Sequence, residues 1–123
     1  MPDSRWYGEN ALMKKFSLDA LARTHLERAE EASSGRSAGT VFGGHEHTLR
    51  QTMVALTAGN SLGLHPNPGE ATVLVLRGRV RMKAGADTWD GRSNDLLVVP
   101  DREHDLEALE DSVVILTVVM HKD

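Results

Sequence analysis

The sequence predicts one mostly β domain, an antiparallel barrel preceded by a single α-helix. Three observations carry this. Short runs of β-branched and aliphatic residues follow one another from Leu49 to Met120; the breaks between them hold turn-forming residues; and only one stretch has helical period. A chain of 123 residues fits a single domain, since domains most often run to about 100–150 residues. At 40% hydrophobic and 26% charged it has the composition of a chain that packs a core.

Residues 1–16 form an N-terminal extension without clear period, in which Trp6 and Tyr7 either dock on the domain or stay loose. Residues 17–35 form an amphipathic helical arm. Ser17 caps it, Asp19 sits in the first turn where the helix dipole favours an anion, and Gly35 follows its end. Leu18, Leu21, Ala22, His25, Leu26 and Ala29 make one apolar stripe, and His25 on it reads as a packed residue and not a ligand. The barrel domain occupies residues 36–123. Ser33 to Gly44, rich in Ser and Gly, reads as a linker. The strands are then Leu49–Thr57, Thr72–Leu76, Val80–Lys83, Asp95–Val99, Leu106–Leu109 and Val113–Met120. Ala58-Gly59-Asn60, Asn67-Pro68-Gly69, Arg77-Gly78, Gly85-Ala86-Asp87, Asp90-Gly91 and Glu110-Asp111 are the turns, with Trp89 packing beside one of them. No helix intervenes and no segment repeats, so a sandwich or one barrel is expected, not a parallel α/β sheet.

Composition also excludes several function classes. The net charge of -4 argues against a nucleic-acid surface. Arg77, Arg79, Arg81 and Lys83 alternate along one segment, either as a local positive stripe or, as strand alternation more often means, as a solvated outer face. The longest apolar run, Val113 to Met120, is far shorter than the ~20 residues of a membrane span. No secretory signal is read at the N-terminus, and a soluble, cytoplasmic protein is expected. Without cysteine there is no disulfide, thiolate ligand or thiol nucleophile. Neither a nucleophile elbow nor a phosphate-cradling glycine loop ahead of a helix is present.

Leu64 to Met82 reads LHPNPGEATVLVLRGRVRM, and Asn94 to Asp111 reads NDLLVVPDREHDLEALED. Together they resemble the two motifs of the small cupins, which are jelly-roll barrels. The first motif runs glycine, five residues, His-x-His, three or four residues, glutamate, six residues, glycine. Gly59 stands six positions before His65, and Gly78 closes the strand. The second motif runs glycine, five residues, proline, then a turn and a histidine; Asn94 stands at the glycine, followed by Pro100 and His104. The resemblance covers roughly residues 48–120.

It implies a pocket at the barrel mouth that commonly holds a divalent metal. Neutral imidazoles with a carboxylate suit Zn, Fe, Ni or Mn and leave positions open for a substrate. This sequence departs from the pattern at two ligands. Asn67 stands at the second histidine, and Ala71 at the glutamate. Glu70 is one residue off, which on an extended strand turns it to the opposite face unless Pro68 and Gly69 shift the register. His65 and His104 are the retained ligands.

Other residues are candidates to complete the site. His45 and His47, two apart behind Gly43-Gly44, either aim into the pocket or belong to an exposed loop. Of Arg50 and Gln51, alternation puts one inside; an inward arginine clamps a carboxylate, an outward one is surface charge. A carboxylate among Asp101 and Glu103 is placed to orient the His104 imidazole. Met53 and Met82 read as core filler, and His121 as exposed.

Three readings follow. The first is a small cupin that binds a small molecule in the barrel pocket with a divalent metal at His65 and His104, joined by Glu70, His47 or Asn67. The second is a metal-free, non-catalytic binding or sensing module in which the histidines are hydrogen-bonding pocket residues. In the third the barrel mainly self-associates, since open strand edges and one amphipathic helix favour a homodimer. Fold alone does not choose an activity.

Overall fold

The computed structural model describes residues 14–67 and 69–120. Trp6, Tyr7, Pro68 and His121 lie outside them, and with them the expectations placed on those residues. Among the described residues, eight strands follow one helix. They are α1 (Leu18–Glu31), β1 (Arg36–Phe42), β2 (Leu49–Leu56), β3 (Gly69–Arg77), β4 (Arg79–Ala84), β5 (Asp87–Arg92), β6 (Leu96–Val98), β7 (Asp105–Ala108) and β8 (Ser112–Met120). The strands form a five-stranded sheet, ordered β1-β2-β8-β3-β6, and a three-stranded sheet, ordered β5-β4-β7. Every ladder is antiparallel. This is the mostly β, two-sheet jelly-roll arrangement with one leading helix.

Strand period divides the apolar residues between two layers. Val54 and Leu56 of β2, Val73 and Val75 of β3 and Val114 of β8 face Val80 and Met82 of β4 and Leu106 and Ala108 of β7. That layer fills the space between the sheets. The intervening residues Met53, Ala55, Val113 and Ile115 point the other way and pack against Ala22 and Ala29 of α1. Central strands of the larger sheet are therefore covered on both faces, which explains the nearly unbroken apolar run of β8. Each fully buried Val, Leu or Met side chain here contributes about 1.5–3 kcal/mol.

Local chemistry sets the ends of α1. The Ser17 hydroxyl accepts from the Ala20 N–H at 3.2 Å, a cap that stabilises by about 1 kcal/mol. Asp19 accepts from Arg23 on the helix and from Arg77 at the end of β3, at 2.6 Å, tying helix to sheet. On the inner stripe His25 is buried, and its Nδ1 lies 2.8 Å from the Ser37 hydroxyl of β1. Gly39 makes room for this ring, since a Cβ there would stand 2.8 Å from His25 Cε1.

Burial, and then the charge of Arg28, hold His25 below its ordinary pKa of 6.5. The folded state thus favours the neutral ring more than the unfolded chain does. Stability from this group is complete above pH 6.5 and falls as the pH drops through that value towards the depressed folded one. Denaturation midpoints measured from pH 8 to pH 5 should decline more steeply in the parent than in His25→Gln. Parallel curves would show that His25 carries no pH dependence.

Two strands depart from the sequence reading. Arg36–Phe42 is β1 and not part of a linker; Asp87–Arg92 is β5 and not a pair of turns. Both lie at sheet edges. An edge strand makes one ladder, so it needs less apolar surface. β1 accordingly uses Gly39 and Ser37 to meet the helix, and β5 buries only Gly91, leaving Trp89 43% exposed in mid-strand. On β4, Arg81 pairs with Asp90 at 2.7 Å and Lys83 with Glu107 at 2.9 Å, as expected of a solvated face.

Candidate functional site

Residues 61–65 run alongside β7 and extend the small sheet. Ser61 forms an isolated bridge with Glu107, and His65 with His104. The latter two exchange both main-chain hydrogen bonds, N–H to carbonyl, at 3.0 Å each way. Directly opposed residues of an antiparallel pair project to the same face. His104 shares the parity of Leu106 and Ala108, so that face is the interior. Their rings meet edge to face, with centroids 4.5 Å apart. Thirty-nine positions of sequence separation are closed by one ladder rung.

Each ring is also fixed in rotation. Nδ1 of His65 lies 2.8 Å from the Gly63 carbonyl, and Nδ1 of His104 lies 3.0 Å from the Arg102 carbonyl. A carbonyl only accepts, so both rings carry hydrogen on Nδ1, and in the neutral form each presents the Nε2 lone pair. Main-chain carbonyls thus do the orienting that the sequence reading gave to Asp101 or Glu103. Such an outer contact is what sets the tautomer of a metal-ligating histidine.

Below the rings the space between the sheets is nearly filled. Leu62, Val73, Met82, Leu106, Val114 and Leu116 line the space beneath His65 and His104, and it amounts to about 10 Å³. That is barely one water molecule. His104 is 5% exposed, whereas His65 is partly open to solvent. A larger cleft of about 750 Å³ lies at the β3–β6 edge, lined by Asn67, Glu70, Ala71, Val98, Val99 and Asp101 among others.

The remaining candidate residues do not join the pair. Ala71, on the parity of Val73 and Val75, faces inward, and Glu70 is exposed on the other face of β3. The register shift that would have returned Glu70 to the interior is absent: Glu70 pairs with Val119 and Ala71 with Val118 in unbroken sequence. Asn67 is occupied by main chain. Its Oδ1 accepts from the Gly69 N–H at 3.0 Å, and its Nδ2 donates to the Val99 and Pro100 carbonyls. His45 and His47 lie exposed between β1 and β2, with the His47 ring against Phe42. Arg50 has the parity of Val54 and Leu56, yet its guanidinium donates to the His45 and His47 carbonyls and closes their loop. Gln51 points to the helix side and donates to the Thr117 hydroxyl at 3.3 Å.

Among the described residues, no group of three or more His, Asp or Glu side chains is gathered to hold a metal ion. Two imidazoles of the right tautomer are present, but an alanine stands where a third donor would come from. This donor set does not fit a tightly held resident metal, for which three protein ligands are usual.

No family model and no curated protein matches the sequence. Solved structures do match the fold. A conserved protein of unknown function from Streptococcus pyogenes superposes with a TM-score of 0.68 and 24% identity, covering 93% of this chain and 95% of that one. A cupin superfamily protein from Desulfitobacterium hafniense gives 0.64 at 14% identity over 70% and 78% of the two chains. KdgF from a Halomonas species gives 0.59 at 22% identity over 72% and 82%. The chain is a small cupin-type domain in fold.

Proposed function

We propose that this cupin-type domain is a binding module that takes a small molecule at the barrel mouth without needing a resident metal. The observation that carries the reading is the His65–His104 rung, with both Nδ1 atoms engaged by carbonyls and both Nε2 atoms free of protein partners among the described residues. Two fixed acceptors side by side suit a ligand that donates two hydrogen bonds, such as a polyhydroxy or amide group. The filled interior supports a ligand seated on the rings and not beneath them.

A second reading has one observation in its favour. The same two lone pairs can coordinate a divalent cation if a ligand or water supplies the other donors. Elemental analysis of protein purified without chelator or affinity metal separates the readings. Well under one metal per chain is expected, and near one per chain, lost in His65→Ala, would overturn the metal-free proposal. Thermal shifts against a panel of sugars, sugar acids and amides should reveal a stabilising compound. Its effect should fall by about tenfold in apparent affinity in His65→Ala, the equivalent of losing a hydrogen bond of about 1.4 kcal/mol.

A further inference from the structure

The end of the small sheet remote from the histidines holds an unexplained cluster of positive charge. Arg79 opens β4 and Arg92 closes β5, and the two are direct cross-strand partners. Like charges opposite one another destabilise a ladder. The other cations of this sheet are neutralised, Arg81 by Asp90 and Lys83 by Glu107. Neither Arg79 nor Arg92 has a carboxylate within 4 Å among the described residues. The Arg79 Nε is moreover buried without a hydrogen-bond partner, a deficit that costs about 1–3 kcal/mol or more for a charged group. Both residues line a cavity of about 360 Å³, together with Gly78, Ser93 and Glu110.

The walls of this cavity are held by main chain. The Arg79 N–H donates to the Ser112 hydroxyl at 3.0 Å, and its carbonyl accepts from Leu109 at 2.8 Å. The Arg92 N–H donates to the Asp95 carboxylate at 2.8 Å, which closes the turn that carries Ser93. Both arginines thus project from fixed points, while their guanidinium groups have no hydrogen-bond or ion-pair partner among the described residues. The neighbouring acidic groups do not fill the gap. Asp95 is spent on that turn, Asp111 accepts from the Ala58 N–H, Asp90 is bound by Arg81, and Glu110 reaches neither arginine within 4 Å.

We propose that this cavity binds a phosphate-type oxyanion, held by the Arg79 and Arg92 guanidinium groups and the Ser93 hydroxyl. Two forks from neighbouring strands, with Ser93 lining the same cavity, supply donors from more than one element. That arrangement suits a tetrahedral, doubly charged group better than a flat, singly charged carboxylate. The volume lies at the low end for small-molecule sites, which begin near ~300 Å³, and so fits a phosphate or a small phosphomonoester. The site is independent of the histidine pair.

Calorimetric titration of the full chain with inorganic phosphate, at low salt, tests the proposal. Saturable binding is expected, weakened about tenfold in Arg92→Gln and in Arg79→Gln by loss of a charge-assisted bond. Arg92 is exposed, so its variant keeps the test open even if the Arg79 variant folds poorly. Lys83→Gln removes the same charge from the far end of β4 and should leave the affinity unchanged. Glu110→Gln should tighten binding by removing a competing carboxylate. A parallel titration with glycerol 3-phosphate assigns the source: tighter binding than phosphate points to an ester, weaker binding to the free ion. No saturable binding of either compound, or equal weakening in Arg92→Gln and Lys83→Gln, overturns the proposal. So does acetate binding as well as phosphate.

Discussion

Gly78→Ala is expected to lower the unfolding free energy by about 3 kcal/mol, because two separate penalties fall on one position. Gly78 lies between β3 and β4, where the chain leaves the large sheet for the small one, and its φ is +84°. A side chain pays about 1–2 kcal/mol for that left-handed backbone. The Cβ would also collide with the Asp111 carbonyl oxygen and the Ser112 hydroxyl, and lie 2.8 Å from the Ser112 Cα. Two of those atoms are backbone, so relief requires moving the β7–β8 turn. Ser112 is buried, and its hydroxyl accepts from the Arg79 N–H while facing the Arg79 and Glu110 carbonyls. Displacing it costs hydrogen bonds as well as packing. Gly59→Ala is the matched control: φ is +88° there too, but nothing lies within 4 Å of the new Cβ. That variant should lose only the backbone term. Urea midpoints for the two should differ clearly; equal shifts would mean that the sheet-switching corner has room the geometry denies it.

Gly78 was readable beforehand because a turn between two apolar runs and the closing glycine of a motif coincide on it. Asn94 is a similar case. It occupies a motif glycine and has φ of +75°, a conformation asparagine tolerates better than most residues. The central strands were legible for the same kind of reason: β3, β4, β7 and β8 bury enough apolar surface to write their period into the sequence. β1 and β5 were not, because an edge strand needs only one ladder and β5 hides a single glycine. In the site, the pairing of His65 with His104 could be expected only through the resemblance, since a rung between distant segments leaves no local trace. What decided Glu70 against Ala71 was strand parity, and parity was legible up to the register at Pro68-Gly69. The orientation of each imidazole was not, because carbonyls of Gly63 and Arg102 supply it and any residue type carries a carbonyl.

Restoring a carboxylate at Ala71 turns that parity argument into a measurement. Ala71 sits on the inner face of β3, one inward position from Val73, which lines the space below the histidine rings. Same-face neighbours on a strand are about 6–7 Å apart, within the reach of a glutamate side chain. Ala71→Glu should therefore add the third donor that the natural site lacks and raise affinity for Co²⁺ or Zn²⁺ by at least about tenfold over the parent. Without metal the same change should destabilise, by about 2 kcal/mol or more, since it buries a carboxyl group without a partner. Saturating metal should then recover the loss, because a ligand that binds only the folded state stabilises it. Cobalt absorption and melting curves with and without metal read the two effects separately. Ala71→Gln has similar bulk but no charge, and should be destabilised without the gain in affinity. If Ala71→Glu folds and binds cobalt no better than the parent, the Nε2 lone pairs of His65 and His104 do not converge with the inner face of β3. The proposed ligand contacts at the barrel mouth would then fail along with it.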